Sequence, residues 1–478
     1  MTEKVQRLLR DSKTARWFAL GLISLTMFFA YFFVDVASPI KNQFEINYHW
    51  SSEVFGLYGG MEFFFNVFFA FLILSGIILD KMGIRFTLLT AGLTMVGGAF
   101  LKFYALKFID TATMTSVFGY TLPMTALIAS VGFAVFGIGV EMAGITVSKT
   151  IVKWFRGKEL ALAMGLEMAI ARLGVFAVMW LSPFFANNGS SNPAEWTTAN
   201  AFLWGAIFLT IGFLTFFIYT FMDRKLDKEM GITKQGGSGE EEFKIKDIGK
   251  IFANPGFLAI AGLCVLFYSA IFPFQRFATE MLSSKLAIDP KEAARYVSMF
   301  PIGAMILTPF IGFFLDRKGL GATLMLYGAI LLTISHLIFA LVPAESFSQP
   351  VAIGTIVILG IAFSLVPASM WPSLPKIVED RYLGSAYGAI FWIQNMGLLG
   401  VPILIGYALS ASNPEVVQFL QENAEAIKAG TIQAPVYNYT VPELIFAGFG
   451  VLAVVLSLIL KYVDKKHGYG LDIPNIKK

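Results

Sequence analysis

"SGIILDKMGIRF" (residues 75–86) and "IGFFLDRKGLGA" (residues 311–322) are two copies of one pattern. Gly76, Asp80, Lys81 and Gly83 of the first stand 236 residues before Gly312, Asp316, Arg317 and Gly319 of the second. A second register, at 223 residues, matches Gly137 to Gly360, Gly165 to Gly388 and Gly174 to Gly397. It aligns "FGIGVEMAG" (136–144) with "LGIAFSLVP" (359–367), and "LALAMGLEMAIARLG" (160–174) with "LGSAYGAIFWIQNMG" (383–397). The 13-residue difference fits a longer hairpin around residues 107–120 of the first half. Self-similarity at a fixed separation means one structural unit used twice.

What that unit is follows from composition. The 478 residues are 56% apolar and only 14% charged, whereas soluble domains carry roughly a quarter charged residues. Apolar runs of about 20 residues, the length that crosses about 30 Å of hydrocarbon, recur about twelve times. Membrane β-strands would alternate over about ten residues instead, which excludes a barrel. The reading is an all-α membrane protein of twelve transmembrane helices in two six-helix pseudo-repeats. An N-terminal bundle takes residues 1–222 and a C-terminal bundle takes 251–478. Between them 223–250, with "QGGSGEEE", is a flexible, water-facing linker.

Both termini lie on one side if the span number is even. That side then holds 27 of the 36 Lys and Arg residues, so the positive-inside rule makes it cytoplasmic. The net charge of +4 reflects this asymmetry and not a nucleic-acid surface. The basic, polar start "MTEKVQRLLRDSKTARW" is too long for a cleavable signal peptide. Cys264, the single cysteine, leaves no intrachain disulfide, and three histidines without ligand spacing give no metal site. No cofactor is expected. No nucleophile–base pair or phosphate loop appears, so the chain is not read as an enzyme.

Charges inside the spans point to function. A charge in the hydrocarbon costs several kcal/mol unless partnered, and is functional by default. Glu141 lies mid-way in the fourth span and Arg172 mid-way in the fifth; the repeat sets Ser364 and Asn395 at the matching places. The second half manages with neutral residues, so the fold itself does not require the charges. In a parallel-repeat transporter, midplane groups between the halves line the substrate site. The Arg fork holds a carboxylate through two hydrogen bonds, and Glu accepts from an ammonium. Together they suit a zwitterion; the alternative is a structural ion pair between neighbouring spans. Tyr268 and Trp371 are candidates to complete the cavity, with Pro273 able to break the seventh helix and three prolines in 364–375 able to bend the tenth. Glu62 and Asp35 are possible proton carriers, or, for Asp35 above all, solvated groups near the outer mouth. Arg276 and Glu280 could pair with each other as a gate, or face water.

The repeated G-x-x-x-D-[KR]-x-G after the second and eighth spans resembles the loop motif of the major facilitator superfamily. The resemblance implies that Asp80, Lys81, Gly83, Arg85, Asp316 and Arg317 hold one gating state. "WFRGKELALAMGLEMAIARLG" (154–174), "FYSAIFPF" (267–274), "TPFIGFFLDRKG" (308–319), "GIAFSLVPASMWP" (360–372) and "LGSAYGAIFWIQNMGL" (383–398) are similar to the branch of that superfamily containing the animal lysosomal dipeptide transporter. That resemblance implies movement of dipeptides without ATP, with Glu141 and Arg172 holding the two ends. The tail has no acidic residue four places before Leu8-Leu9, the usual form of a lysosomal sorting signal. The expectation is a prokaryotic relative, a monomer in the plasma membrane, moving dipeptides by facilitated diffusion or proton coupling. The alternatives are a carrier of small organic anions using Arg172 alone, and a ligand sensor of the same fold that moves nothing.

Overall fold

The computed structural model describes residues 8–155, 158–187, 197–231, 245–379, 383–429 and 431–474. Long apolar segments can meet lipid only as helices, because every backbone N–H and C=O must be paired internally. Among the described residues, eleven helices are long and apolar enough to cross a membrane. Those of the first half are α1 (Lys13–Val34), the third-span part of α5 (Phe71–Phe108), α6 (Met124–Phe155), α7 (Leu160–Asn187) and α8 (Thr198–Glu229). Short α2 (Lys41–Tyr48) follows α1.

The second crossing is a bent one. It comprises α3 (Ser52–Gly60), a 3-10 turn at Met61–Phe63, α4 (Phe64–Phe69) and the start of α5, with a bend of 68° between α4 and α5. The bend sits at Ala70, in the left-handed conformation (φ 47, ψ 41) that ends α4. The twelve expected crossings are therefore eleven single helices and one broken helix.

In the second half, α9 (Ile245–Phe252) precedes α10 (Pro255–Leu286), α11 (Pro290–Val297), α12 (Met299–Lys318), α13 (Gly321–Leu341) and α14 (Gln349–Ile377). Then come α15 (Leu383–Ser412), α16 (Pro414–Glu422), α17 (Ala424–Lys428) and α18 (Thr440–His467). The repeat is visible in the backbone. Gly83 has φ 80 and ψ 170, and its mate Gly319 has φ 76 and ψ −135. Side chains bearing a Cβ avoid this region, so the same glycine turns the chain after the second and after the eighth span.

Several expectations need adjusting. α8 continues past residue 222 to Glu229, because Asp223 and Asp227 are buried and paired in its last turns. The end of the 223–250 segment is helical in α9, and 232–244 lie outside the described residues. α10 runs unbroken through Pro273, and α14 through Pro367, Pro372 and Pro375. The extra length of the first half is a β-hairpin, β1 (Met114–Val117) against β2 (Tyr120–Pro123), with Met114 opposite Pro123.

At the face carrying the termini, the named ion pairs stay within one half. Lys158 pairs with Asp11 at 2.5 Å and holds its carboxyl below the usual carboxylate range. Arg16 pairs with Glu159 at 2.8 Å. In the second half Lys461 donates to Thr323 Oγ1 at 2.6 Å. At the opposite, distal face the halves close on each other. α3 packs along the end of α15 so tightly that a Cβ on Gly56 would sit 2.2 Å from the Pro402 carbonyl oxygen. Between lipid-embedded helices, small residues that let backbones approach supply the association energy.

Gly56→Ala is therefore expected to fold but to keep the distal face from closing. Disulfide cross-linking between cysteines placed at Glu53 and Ala411 checks this. Its yield should fall several-fold in Gly56→Ala and stay unchanged in Gly400→Ala, where an added Cβ meets nothing within 4 Å.

Candidate functional site

Arg172 on α7 is half-buried and reaches the second half. Its guanidinium carbon lies 5.2 Å from the Phe363 ring centre on α14, 5.7 Å from Phe272 on α10 and 5.9 Å from Tyr31 on α1. Arg is weakly hydrated and planar, so stacked rings hold its charge while leaving the N–H edge for another group. Among the described residues, no carboxylate forms an ion pair with it.

Glu141 on α6 is also half-buried, and Asn395 of α15 stands beside it. The two charges thus do not pair with each other; each is turned to the second half. The pattern follows the repeat. Glu141 meets Asn395, the counterpart of Arg172. Arg172 meets Phe363, the neighbour of Ser364, which is the counterpart of Glu141. Along the seam between the halves the fifth span packs on the eighth (α7 on α12) and the eleventh on the second (α15 on α3).

Behind Arg172 the second half supplies an aromatic wall. Tyr268 stacks on Phe272 at 5.5 Å and accepts a hydrogen bond from the Trp371 indole N–H at 3.2 Å. Trp371 stacks on Phe391 at 5.0 Å, and the Tyr387 hydroxyl donates to the Trp371 carbonyl at 3.2 Å. Tyr268 and Trp371 are therefore together and continuous with the rings around Arg172. Ser364 is not free in the same way. It is fully buried and its hydroxyl donates to the Gly360 carbonyl of its own helix at 2.9 Å. Tyr31, Phe272 and Phe363 carry no signal in the sequence, because one ring among 16 Tyr and 48 Phe cannot be singled out without its neighbours.

The remaining membrane charges form the distal closure. Arg276 and Glu280, four residues apart on α10, do not pair with each other. Arg276 donates to Glu62 of the first half at 2.6 Å. Glu280 is bound by Lys41 of the first half at 2.6 Å, and by the Tyr439 hydroxyl. Lys41 also donates to Ser52 at 2.8 Å, and Tyr437 of the second half donates to Glu45. Glu62 is buried in this pair, not free in a cavity. Asp35 is buried too, against the expectation of a solvated group: it is 7% exposed and accepts from Ser38 at 3.3 Å. Burial follows because the segment after α1 turns back into the protein through a 3-10 turn, Ser38–Ile40, and α2.

The motif residues differ between the two copies. Arg85 is bound to Asp227 at 3.0 Å and Asp223 at 3.6 Å, and Lys153 reaches both carboxylates at 2.5 Å. Lys81 is exposed, and the Asp80 side chain lies outside the described residues. In the second copy Asp316 is half-buried and Arg317 is exposed, its guanidinium 4.1 Å from the Phe313 ring centre.

Two six-span halves, one motif used twice and charges between the halves define a membrane carrier. The profile of the Major Facilitator Superfamily matches residues 23–402, and the chain belongs to that family. Among similar curated proteins, the "Lysosomal dipeptide transporter MFSD1" of Mus musculus is 30% identical over 285 residues, and that of Homo sapiens 27% over 285. Each alignment takes in 59% of this chain and 59% of the relative's own length. Among solved structures, the nucleoside transporter NupG superposes with a TM-score of 0.68 at 14% identity, covering 94% of this chain and 99% of that one. A bacterial homolog of the human lysosomal transporter Spinster, inward-facing and unoccupied, gives 0.67 at 13%, covering 95% and 98%. At these identities the likeness is one of fold. The chain is a multi-pass membrane transporter, not an enzyme.

Asp223 is fully buried and shares two cations, so removing one leaves charge uncompensated. Arg85→Gln should cost about 1–3 kcal/mol and lower Tm by several degrees. Arg317→Gln, at an exposed position, should leave Tm within a degree or so of the parent. Thermal unfolding of the purified variants in detergent checks the contrast.

Proposed function

We propose that the chain is an alternating-access secondary transporter that moves dipeptides. Glu141 receives the amino end, Arg172 the carboxylate, and the Tyr268–Trp371 aromatic wall surrounds the side chains, with Asn395 orienting Glu141. One observation carries this reading. The two half-buried charges are not paired with each other, and each is turned to the opposite half. A structural ion pair would have satisfied them; two separated, opposite charges suit a zwitterion. An extended dipeptide spans about 7 Å at about 3.3–3.6 Å per residue, so its two ends engage two separate groups. The likeness to the MFSD1 proteins supports the same substrate class.

The proposed units are the two six-helix halves, the first running to the end of α8 at Glu229 and the second beginning near residue 251, rocking about the midplane site as a monomer. Asp80, Lys81, Gly83, Arg85, Asp316 and Arg317 act at the moving terminal face. The Lys and Arg bias supports a cytoplasmic location for that face, and the proposed setting is the plasma membrane. Glu62 and Asp35 are the carriers a proton-coupled mechanism would use. Glu62 would then have to leave Arg276 in the cycle.

Because neither charge neutralises the other, removing one strands no partner. Glu141→Gln and Arg172→Ala should keep the parent's Tm while lowering dipeptide uptake into liposomes at least tenfold, the scale of one lost charge-assisted hydrogen bond of about 1.5–3 kcal/mol. Dipeptides should raise the parent's Tm by mass action, and an N-acetylated dipeptide should not. Stabilisation by the N-acetylated compound would transfer the reading to an anion carrier using Arg172 alone. Stabilisation by dipeptides without uptake would make the chain a sensor.

A further inference from the structure

Lys102 lies near the distal end of α5 and has 0% of its surface exposed. Its ammonium makes no hydrogen bond. Five rings enclose it, with centres at 3.6 Å (Phe133), 4.5 Å (Phe33), 5.1 Å (Tyr58), 5.3 Å (Phe202) and 5.6 Å (Phe136). All five belong to the first half. One ring is shared: the Arg276 guanidinium of the second half stands 5.2 Å from the Phe133 centre while it holds Glu62 at 2.6 Å. Glu62 stands four residues after Tyr58, one ring of the cage, and Asp35 two residues after Phe33, another. Asp35 already has a donor in Ser38.

Two basic side chains thus flank the Phe133 ring, and only one of them, Arg276, is bonded to Glu62. Arg276 belongs to the half that must move away when the distal face opens. Glu62 and Lys102 belong to the same half and stay together. A carboxylate left without a partner inside a low-dielectric seam is strongly disfavoured. A ring cage holds an ammonium without any directional bond that would have to break before it moves. Lysine's flexible stem and three donors suit such a change of partner better than a fixed fork.

We propose that Lys102 is a positioning residue of the transport cycle, the second partner of Glu62, taking over the carboxylate when Arg276 withdraws and the distal face opens. Glu62 is then bonded in both states, and the opening does not strand a charge. The inference needs only that the halves part; it does not depend on the identity of the substrate.

The test uses the full chain in nanodiscs, with Cys264→Ser and spin labels on Glu53→Cys and Ala411→Cys. These two positions line one shallow distal cavity between the halves, so their separation is short when that face is shut. Double electron–electron resonance reads the populations of short and long separations. Lys102→Met should reduce the long-separation population at least tenfold, and Glu62→Gln combined with Lys102→Met should restore it. Arg276→Met, which leaves Lys102 untouched, should raise it above the parent. A purely structural lysine would lower Tm in Lys102→Met without moving the ratio of the two distances. The proposal is overturned if Lys102→Met keeps the parent's distribution, or if Arg276→Met fails to shift it. It is equally overturned if Asp35→Asn, and not Glu62→Gln, restores the Lys102→Met protein. Should Lys102→Met not fold, the Arg276→Met distribution decides alone.

Discussion

Charges enclosed between the halves have to be met across a surface that parts. Water cannot solvate them while the face is shut, so each needs a partner there; and the partner must be one that can leave. Arg276 with Glu62, and Lys41 with Glu280, satisfy both demands because each joins one residue from each half. For such pairs the Coulomb attraction and the cost of desolvation nearly cancel. The net gain on closing is therefore small, which is what a reversible closure requires. A seam of large apolar side chains would have no such return path in its electrostatics. The tyrosines at its rim add directional bonds to the same carboxylates, Tyr437 to Glu45 and Tyr439 to Glu280, without adding charge.

The two halves are alike in backbone and unlike in chemistry. Gly83 and Gly319 make the same turn, yet Arg85 enters a cluster with Asp223, Asp227 and Lys153, while Arg317 lies over Phe313 in the open. At the centre the first half contributes Glu141 and Arg172, and the second contributes Asn395, Phe363, Phe272 and the rings around Trp371. In the proposed cycle this division has a consequence. The charged ends of a substrate belong to one half and its side chains to the other. Full contact is reached only when the halves approach, so binding and closure draw on the same interactions and each favours the other.

Much of this architecture is legible in the chain. The spacing of 236 residues located both turns, and the apolar windows located the crossings. The central charges were legible too, as acids and bases in otherwise apolar runs. Other features were not, for definite reasons. The bend at Ala70 lies in "FFNVFFAF", which contains neither Gly nor Pro, so no local residue announces it. Lys102 reads as the edge of a distal loop when basic residues are counted by side; the cage that buries it comes from α1, α3, α6 and α8 and exists only in three dimensions. Arg276 and Glu280 stand one turn apart and so read as partners. Sequence spacing reports contacts along a helix and is silent about those across a seam.

Rocking motion also needs bodies that do not deform. The terminal face supplies that rigidity inside each half. Lys153 ties α6 to α8 through Asp223 and Asp227, Arg85 ties α5 to the same two carboxylates, and Arg16 and Lys158 tie the first residues to the α6–α7 turn. The distal face supplies the opposite property. There α3 meets α15 at backbone distance, Gly56 against the Pro402 carbonyl. Contact of that kind is lost almost completely over a small separation, because dispersion falls steeply with distance. A seam built on close backbone approach therefore has a shut state and an open state with little between them. The charges around it keep their partners only in the shut arrangement, unless, as with Glu62, a second partner waits in the same half.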